Sequence, residues 1–406
     1  MATPVHELDL PRLSFLVGQS RQERQEFLRA TAAGNWIARN DIGYTVLTYE
    51  SVTGILRDKR WHSAAGLAAQ IRGVTDEQFL ARRRVSILNA EGEVHVRLRR
   101  LVAPAFSPRS ADRLRPFMQE VINSLVDPIA ARGTSEFVGD VCEPYPIPII
   151  CELLGAPKED WQDFSRWATD VLRIFSEDIA SQIPVIVAAQ DEINAYTRTL
   201  IEQRRSVPRD DLLTDLIAAE ELGDKLSTEE LEMMVEAVIV GGTDTTRNQL
   251  GLAIALFAQH PDQWEKLAND PQLAPRAVEE TMRYSGAVGG TVRFASEDIE
   301  YNGILFPKGT FISTSMSSGN FDPSVFSEPD AFDITRPPAG QPQLSFGAGI
   351  HYCLGASLAR AELQEALVIL ARRLPKLALD GEAEYKPSQV GIFGPSRLPI
   401  RFEAGH

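Results

Sequence analysis

Cys353 stands at the centre of a short run, Leu344 to Arg360 (LSFGAGIHYCLGASLAR), whose residue types suit metal chemistry. Gly347 and Gly349 precede it and Gly355 follows. Glycines allow positive φ and let the backbone approach another body closely. Beyond Gly355, the apolar positions Leu358, Ala361, Leu363, Ala366, Leu367 and Leu370 recur at helical spacing. Cys353 thus lies between a glycine-rich loop and a helix start, where the dipole and free N–H groups favour a thiolate. Such a thiolate is a soft ligand for iron. A lone cysteine is otherwise a small buried hydrophobe, the reading that suits Cys142 and Cys151 in their apolar surroundings.

Three further stretches carry chemistry. In Glu91 to Arg109 (EGEVHVRLRRLVAPAFSPR), His95 and Arg99 are four apart and share one helical face. That face is either anion-binding or simply solvated. In Arg276 to Tyr284, Glu280 and Arg283 are three apart, a pair that means little on a surface and much if buried. Between Ser227 and His260 the pattern is helical, opened by a Ser227/Glu230 capping box and closed by Pro261. About 33 residues at ~1.5 Å each would span roughly 50 Å. Its middle, Gly241-Gly242-Thr243-Asp244-Thr245-Thr246, breaks helix rules. Either two helices meet there, with Asp244 as the second N-cap, or one helix opens locally beside a ligand.

The spacing Phe346-Gly347-x-Gly349-x-His351-x-Cys353-x-Gly355 resembles the haem-ligand loop of the cytochrome P450 family. The resemblance spans roughly residues 90 to 400, with four motifs in family order. It implies haem b as cofactor, Cys353 as iron ligand, and Phe346, Gly347, His351 and Gly355 around the haem. His95 and Arg99 would bind a propionate. Arg293, in Gly289-Gly290-Thr291-Val292-Arg293-Phe294, resembles the second propionate arginine. Gly241 would leave room beside the haem, and Asp244 and Thr245 resemble the oxygen-activation pair: Asp244 brings protons from solvent and Thr245 hands them on. Glu280 and Arg283 would lock a loop carrying Arg336. Val240, Val288, Gly289, Thr291, Ile392 and Phe393 would face substrate. Glycines 289 and 290 serve a plain turn equally well, and Phe393 a core contact. One departure is clear: many relatives carry Asp-Pro-Pro-Glu before the histidine, where this chain has Ala90-Glu91-Gly92-Glu93-Val94.

The expected activity is monooxygenation of a hydrophobic small molecule with O2 and electrons from NAD(P)H through a ferredoxin-type donor and its reductase. Peroxide use, isomerisation, or ligand sensing without turnover on the same scaffold are the alternatives; the paired acid and alcohol speak against sensing. Six arginines lie between Arg97 and Arg115 against one acid, Asp112. They suit docking of an acidic electron carrier or an ordinary exposed face. Arg82, Arg83 and Arg84 read as a run facing water.

The elements that position these groups follow from composition. The chain has 406 residues, 44% of them hydrophobic, and a net charge of −15. That acidity disfavours nucleic acid. Three dispersed cysteines form no disulfide framework and fit a reducing cytoplasm. The N-terminus lacks a signal-peptide core, and no run of 18 apolar residues predicts a membrane span. No fused flavin domain is expected. No repeat or low-complexity linker divides the chain, so one domain over 1–406 is expected. Its class is mainly α with a minor β portion, and the resemblance implies a single-domain cytochrome P450 fold with a long central helix over the haem. Helices are expected at about 90–290 and 355–375, and β-rich parts at about 40–60, 291–313 and 388–402. Residues 62–94 lack strong periodicity and read as a functional loop or a poorly ordered one.

Overall fold

A computed structural model describes residues 2–13, 21–64, 67–71, 73–175, 178–221, 226–386 and 392–404. The protein is mainly α with small sheets. The helices that shape the site are α1 (Glu77–Val85), α2 (Gly92–Val102), α3 (Pro108–Ala130), α4 (Pro146–Leu154), α5 (Ile179–Ser206), α6 (Thr228–Gln259), α7 (Ala274–Ser285) and α8 (Ala356–Arg373). The stretch 62–94 is not all loop: α1 forms within it, opened by Asp76, whose carboxylate accepts from Phe79 N at 2.8 Å.

The central helix is one continuous element. Ser227 Oγ accepts from Glu230 N (3.1 Å), and Glu230 Oε2 accepts from Ser227 N (2.9 Å). Two of the orphan donors at the helix start are thereby satisfied. No break occurs at Gly241-Gly242, so the two-helix reading fails. Burial explains why. Leu231, Val235, Ile239, Leu250, Ile254 and Phe257 are all in the core. At about 1.5–3 kcal/mol for each large side chain buried, tertiary packing outweighs a glycine cost of ~1 kcal/mol each. Thr243 and Thr245 bond back to the carbonyls of Ile239 (2.9 Å) and Gly241 (2.8 Å) instead of breaking the helix.

The largest sheet joins β1 (Ile37–Asn40), β2 (Gly43–Val46), β3 (Trp61–Ser63), β4 (Gly290–Ala295) and β5 (Phe311–Ser315) in the order β1-β2-β5-β4-β3. Only the β2–β5 pairing is parallel. Gly43 makes that approach feasible, since a Cβ there would lie 2.3 Å from Phe311 O. A large apolar cluster fills the helical part, and a second one, including Trp61, Ile299, Phe306 and Ile312, backs the sheet.

Behind the cysteine loop lies a buried ionic network. Arg283 Nε and Nη2 donate to the Glu280 carboxylate at 2.8 and 2.9 Å. Arg283 also holds the carbonyls of Asn320, Pro329 and Ala331 within 3.0 Å. Arg336 Nε reaches Glu280 at 3.2 Å, and Asp333 N donates to Glu280 Oε1 at 3.1 Å. Every group of the pair is partnered, the condition under which a buried ion pair is tolerated.

Candidate active site

The loop before α8 is shaped by its glycines. Gly347 and Gly349 both have φ +71°, and a Cβ on Gly349 would fall 2.0 Å from Leu56 O. Cys353 N donates to Phe346 O at 2.9 Å. The Phe346 ring is covered by the Arg360 guanidinium, 4.4 Å from its centroid. Arg360 is anchored to Glu279 on α7 and to Tyr352 Oη.

Cys353 contrasts with the other two cysteines. Cys142 and Cys151 are inert core residues; burial drives the Cys142 thiol far up and that of Cys151 to about 12. Cys353 is exposed, yet burial is still the largest influence on its thiol and raises its pKa. Protein thus surrounds a side chain that still has open space against it. The Gly355 N–H, Arg99 and Arg360 pull toward the thiolate without prevailing. This corrects the expectation that the helix start alone favours a thiolate: desolvation outweighs the dipole. A bound metal would reverse the balance, since coordination deprotonates a thiol outright.

Cationic and imidazole groups border the same loop. His95 is 2% exposed and its ring centroid lies 4.4 Å from that of His351. Burial, with His351 and Arg99 adding to it, pushes the His95 pKa down to about 4, so the ring is neutral near pH 7. Arg99 Nη2 donates to Tyr352 O at 2.7 Å, and burial lowers its pKa. Arg293, on β4, bonds only Thr291 Oγ1 (3.2 Å) and Val292 O (2.9 Å). Burial pushes its pKa down to about 10, against the pull of Glu91.

Glu91, which sequence reasoning registered only as a departure, is part of this border. It precedes α2 and accepts from Ser63 N (2.5 Å) and from His351 Nε2 (3.0 Å). Burial raises its pKa, but these bonds outweigh it and leave the carboxyl below its usual range. Among the described residues no carboxylate forms an ion pair with Arg99 or Arg293. Two desolvated guanidiniums without an anion, beside two imidazoles and an enclosed thiol, fit a haem: carboxylates for the arginines and an iron for the sulfur.

On α6, a Cβ on Gly241 would meet nothing within 4 Å, so this glycine faces open space. Gly242 differs: a Cβ there would strike Ile150 of α4 at 2.2 Å, so its role is helix packing. Asp244 is 4% exposed, and its carboxylate is held by Arg247 and by Lys386 Nζ at 3.4 Å. Burial lowers the Lys386 pKa, and Asp244 opposes that. Glu362 of α8 lies near the same turn. Burial pushes it up to about 8 despite a hydrogen bond with Thr246, and its Oε1 has no partner among the described residues. Arg247, Lys386 and Glu362 carried no sequence signal; a hydrophobic helix with one acid every few residues looks ordinary.

Val240, Val288, Gly289 and Thr291 are half-buried. Gly290 has a packing reason of its own: a Cβ there would lie 2.4 Å from Thr314 O across the β4–β5 pairing. Ile392 is buried with Leu252 and Ala287. Phe393 stacks on Tyr385, ring centroids 5.5 Å apart. Val390 and Gly391 of that turn lie outside the described residues.

Comparisons with known proteins point to one family. Residues 160–379 match the family model "Cytochrome P450". The chain is 35% identical to luteothin monooxygenase of Streptomyces thioluteus over all of both chains. It is 35% identical to nocardicin C N-oxygenase of Nocardia uniformis, covering 88% of this chain and 89% of that one. Among solved structures, CalO2 superposes with a TM-score of 0.89 at 30% identity over 97% of this chain and all of that one. P450BioI, in complex with hexadec-9Z-enoic acid ligated acyl carrier protein, gives 0.87 at 32% identity, covering 94% and 99%.

Proposed function

The chain belongs to the cytochrome P450 family and is a haem-thiolate monooxygenase, and we propose that Cys353 is its iron ligand, with the polar groups around it holding the rest of the cofactor. The observation that carries this is the Cys353 thiol beside half-buried Arg99 and buried Arg293, neither of them in an ion pair among the described residues. When bound, the haem supplies a redox-active iron for splitting dioxygen, chemistry that side chains cannot provide.

The residues of the chain do the rest. Arg99 and Arg293 would bind the propionates by charge-assisted bonds, with the neutral His95 ring, and His351 beside it, completing the set. Phe346, Gly347 and Gly355 shape the proximal loop, and Gly241 keeps the opposite side open. Asp244, fixed by Arg247 and Lys386, passes protons inward, and Thr245 receives them once its hydroxyl leaves Gly241 O. Glu280, Arg283 and Arg336 are positioning residues for the loop. Val240, Val288, Gly289, Thr291 and Phe393 give a small, apolar wall, suited to a hydrophobic substrate; Ile392 supports it from the core.

Electrons come from a ferredoxin-type donor and its reductase. Arg97 is tied to Glu230, Arg113 to Asp210, and Arg115 to Asp112 and Glu365, so these do not form a free basic face. Arg100 and Arg109 are exposed and without an ion pair among the described residues, on the elements that lead from Arg99, and they are the docking residues of this proposal. Among the described residues no helix is long and apolar enough to cross a membrane, and we place the enzyme, as a single domain, in the cytoplasm. The test is product formation from a turned-over substrate with ferredoxin, reductase, NAD(P)H and dioxygen. Removal of dioxygen abolishes it; undiminished product from peroxide alone would favour the peroxide-using alternative.

A further inference from the structure

Arg82, Arg83 and Arg84 are adjacent on α1 and take three directions. Arg84 pairs with Glu77 at 2.7 Å on the exposed side. Arg82 donates to the Asp191 carboxylate and to Val187 O (3.5 Å), pinning α1 to α5. Arg83 departs from the expected water-facing run. Its side chain makes no hydrogen bond and no ion pair among the described residues, and burial is the largest influence on it, lowering its pKa, with Glu236 opposing. Arg83 is nonetheless only half-buried. As at Cys353, a strong influence of burial goes together with remaining exposure. Asn89 Nδ2 fixes the Arg83 carbonyl at 2.7 Å, and Phe79, Leu80, Ile179 and Ile186 pack into an apolar cluster that docks α1 on α5.

Glu236 of α6 is the charged group that acts on Arg83, and Gly241, farther along the same helix, has open space beside it. Helix α1 packs against α6. Glu236 lies on α6 one turn before Val240 and Gly241, is 5% exposed, and accepts from Gln190 Nε2 at 2.8 Å through Oε1. Its Oε2 has no hydrogen-bond partner among the described residues. Burial raises its pKa, which weakens it as a standing counter-ion for Arg83. A guanidinium taken out of water without an anion is costly. Such a cation is tolerable where a ligand brings the anion.

We propose that Arg83 anchors the carboxylate of a hydrophobic carboxylic acid substrate, whose apolar body lies along α6 toward Gly241. The planar guanidinium offers a fork of donors that matches a carboxylate in two parallel bonds. The far end of the molecule, distant from the charged group, is then the end presented for oxygen insertion. The proposal rests on the monooxygenase reading and adds the substrate class to it.

The holoprotein is titrated with alkyl and arylalkyl carboxylic acids of graded length and with their primary amides. Binding is followed by the Soret shift and, separately, by equilibrium dialysis. At least one acid is expected to bind roughly 10- to 100-fold more tightly than its amide, the size of a charge-assisted bond. Arg83→Gln is expected to remove that preference, and Arg83→Lys to restore part of it. Glu236→Gln is expected to bind acids at least as tightly as the wild type. A wild type that prefers no acid over its amide overturns the proposal, and so does an Arg83→Gln protein that keeps the preference. The wild-type comparison decides even if Arg83→Gln fails to fold. The reduced carbon-monoxide spectrum of each sample separates the two readings: loss of the thiolate-type band in the wild type undoes the monooxygenase reading, whereas a normal band without acid preference undoes only the substrate class.

Discussion

Lys386 Nζ lies 3.4 Å from Asp244 Oδ1, though 142 residues separate them in the chain. The contact joins the central helix to the β-rich C-terminal part and leaves the Asp244 carboxylate buried between two cations. A carboxylate so held is fixed in place, and it must detach from one cation to relay a proton. Asp244→Asn removes the carrier while keeping the shape. Turnover is expected to fall about 100-fold or more, within the usual range for a positioned acid, while substrate affinity and the haem spectrum stay unchanged. Lys386→Met is expected to change the pH profile of turnover more than its maximum. Steady-state kinetics across pH on both variants checks this; an Asp244→Asn enzyme at full rate would remove Asp244 from the proton path.

Gly241 and Gly349 should respond oppositely to alanine. At Gly349 the φ of +71° and the Leu56 carbonyl leave no place for a Cβ. Gly349→Ala is expected to lose haem occupancy and stability together. At Gly241 the Cβ meets open space, and alanine gains up to ~1 kcal/mol of helix propensity. Gly241→Ala is expected to melt no lower than the wild type and yet to turn over more slowly, because the methyl fills the space beside the cofactor. Thermal melts and haem content of the two proteins measure the contrast.

The candidate site was chosen largely from the chain. Cys353, Gly241, Asp244 and Thr245 stand in patterns whose spacing suggests the chemistry proposed for them. So do the element types: the capping box at Ser227 and Glu230 forms as read. The rest depends on distances that sequence does not encode. Arg336 meets Glu280 from 56 residues away, and Lys386 meets Asp244 from farther still. Arg83 looked like one of three solvated arginines because neighbours on a helix point in different directions, and only packing on α5 and α6 decides which one is enclosed. The thiol balance at Cys353 was misjudged for a similar reason: a helix start is visible in sequence, whereas desolvation is not.

Glu362 gives a pH signature in stability. Its pKa rises from 4.5 unfolded to about 8 folded, through burial. The folded state therefore holds a proton that the unfolded state has lost, and stability falls as pH rises from ~4.5 to ~8. The neutral Glu362→Gln protein escapes this loss. It is expected to gain on the wild type by up to a few kcal/mol between pH 5 and pH 8. Calorimetric melts at both pH values test this; parallel shifts in the two proteins would mean that Glu362 ionises normally.

Breaking the network behind the loop should be costly. Arg283→Ala leaves Glu280 buried and half-partnered and frees three carbonyls. A loss of about 3–5 kcal/mol is expected, read from urea unfolding of the holoprotein. A change below ~1 kcal/mol would show that the pair contributes little.

Charge reversal at the exposed Arg100 and Arg109 should raise the KM for a ferredoxin-type donor severalfold and flatten its salt dependence. Substrate binding and kcat at saturating donor should hold. Equal kinetics before and after reversal would move the docking site elsewhere.

The role of Cys353 is tested most directly by the absorption spectrum of the dithionite-reduced protein with carbon monoxide, recorded beside Cys353→Ala. The wild type is expected to show a far red-shifted Soret band that the variant lacks, the mark of a thiolate on the iron. A protein without haem, or the same histidine-type carbonyl band in both, would contradict the assignment of Cys353 and with it the roles given to Asp244, Thr245, Arg99 and Arg293.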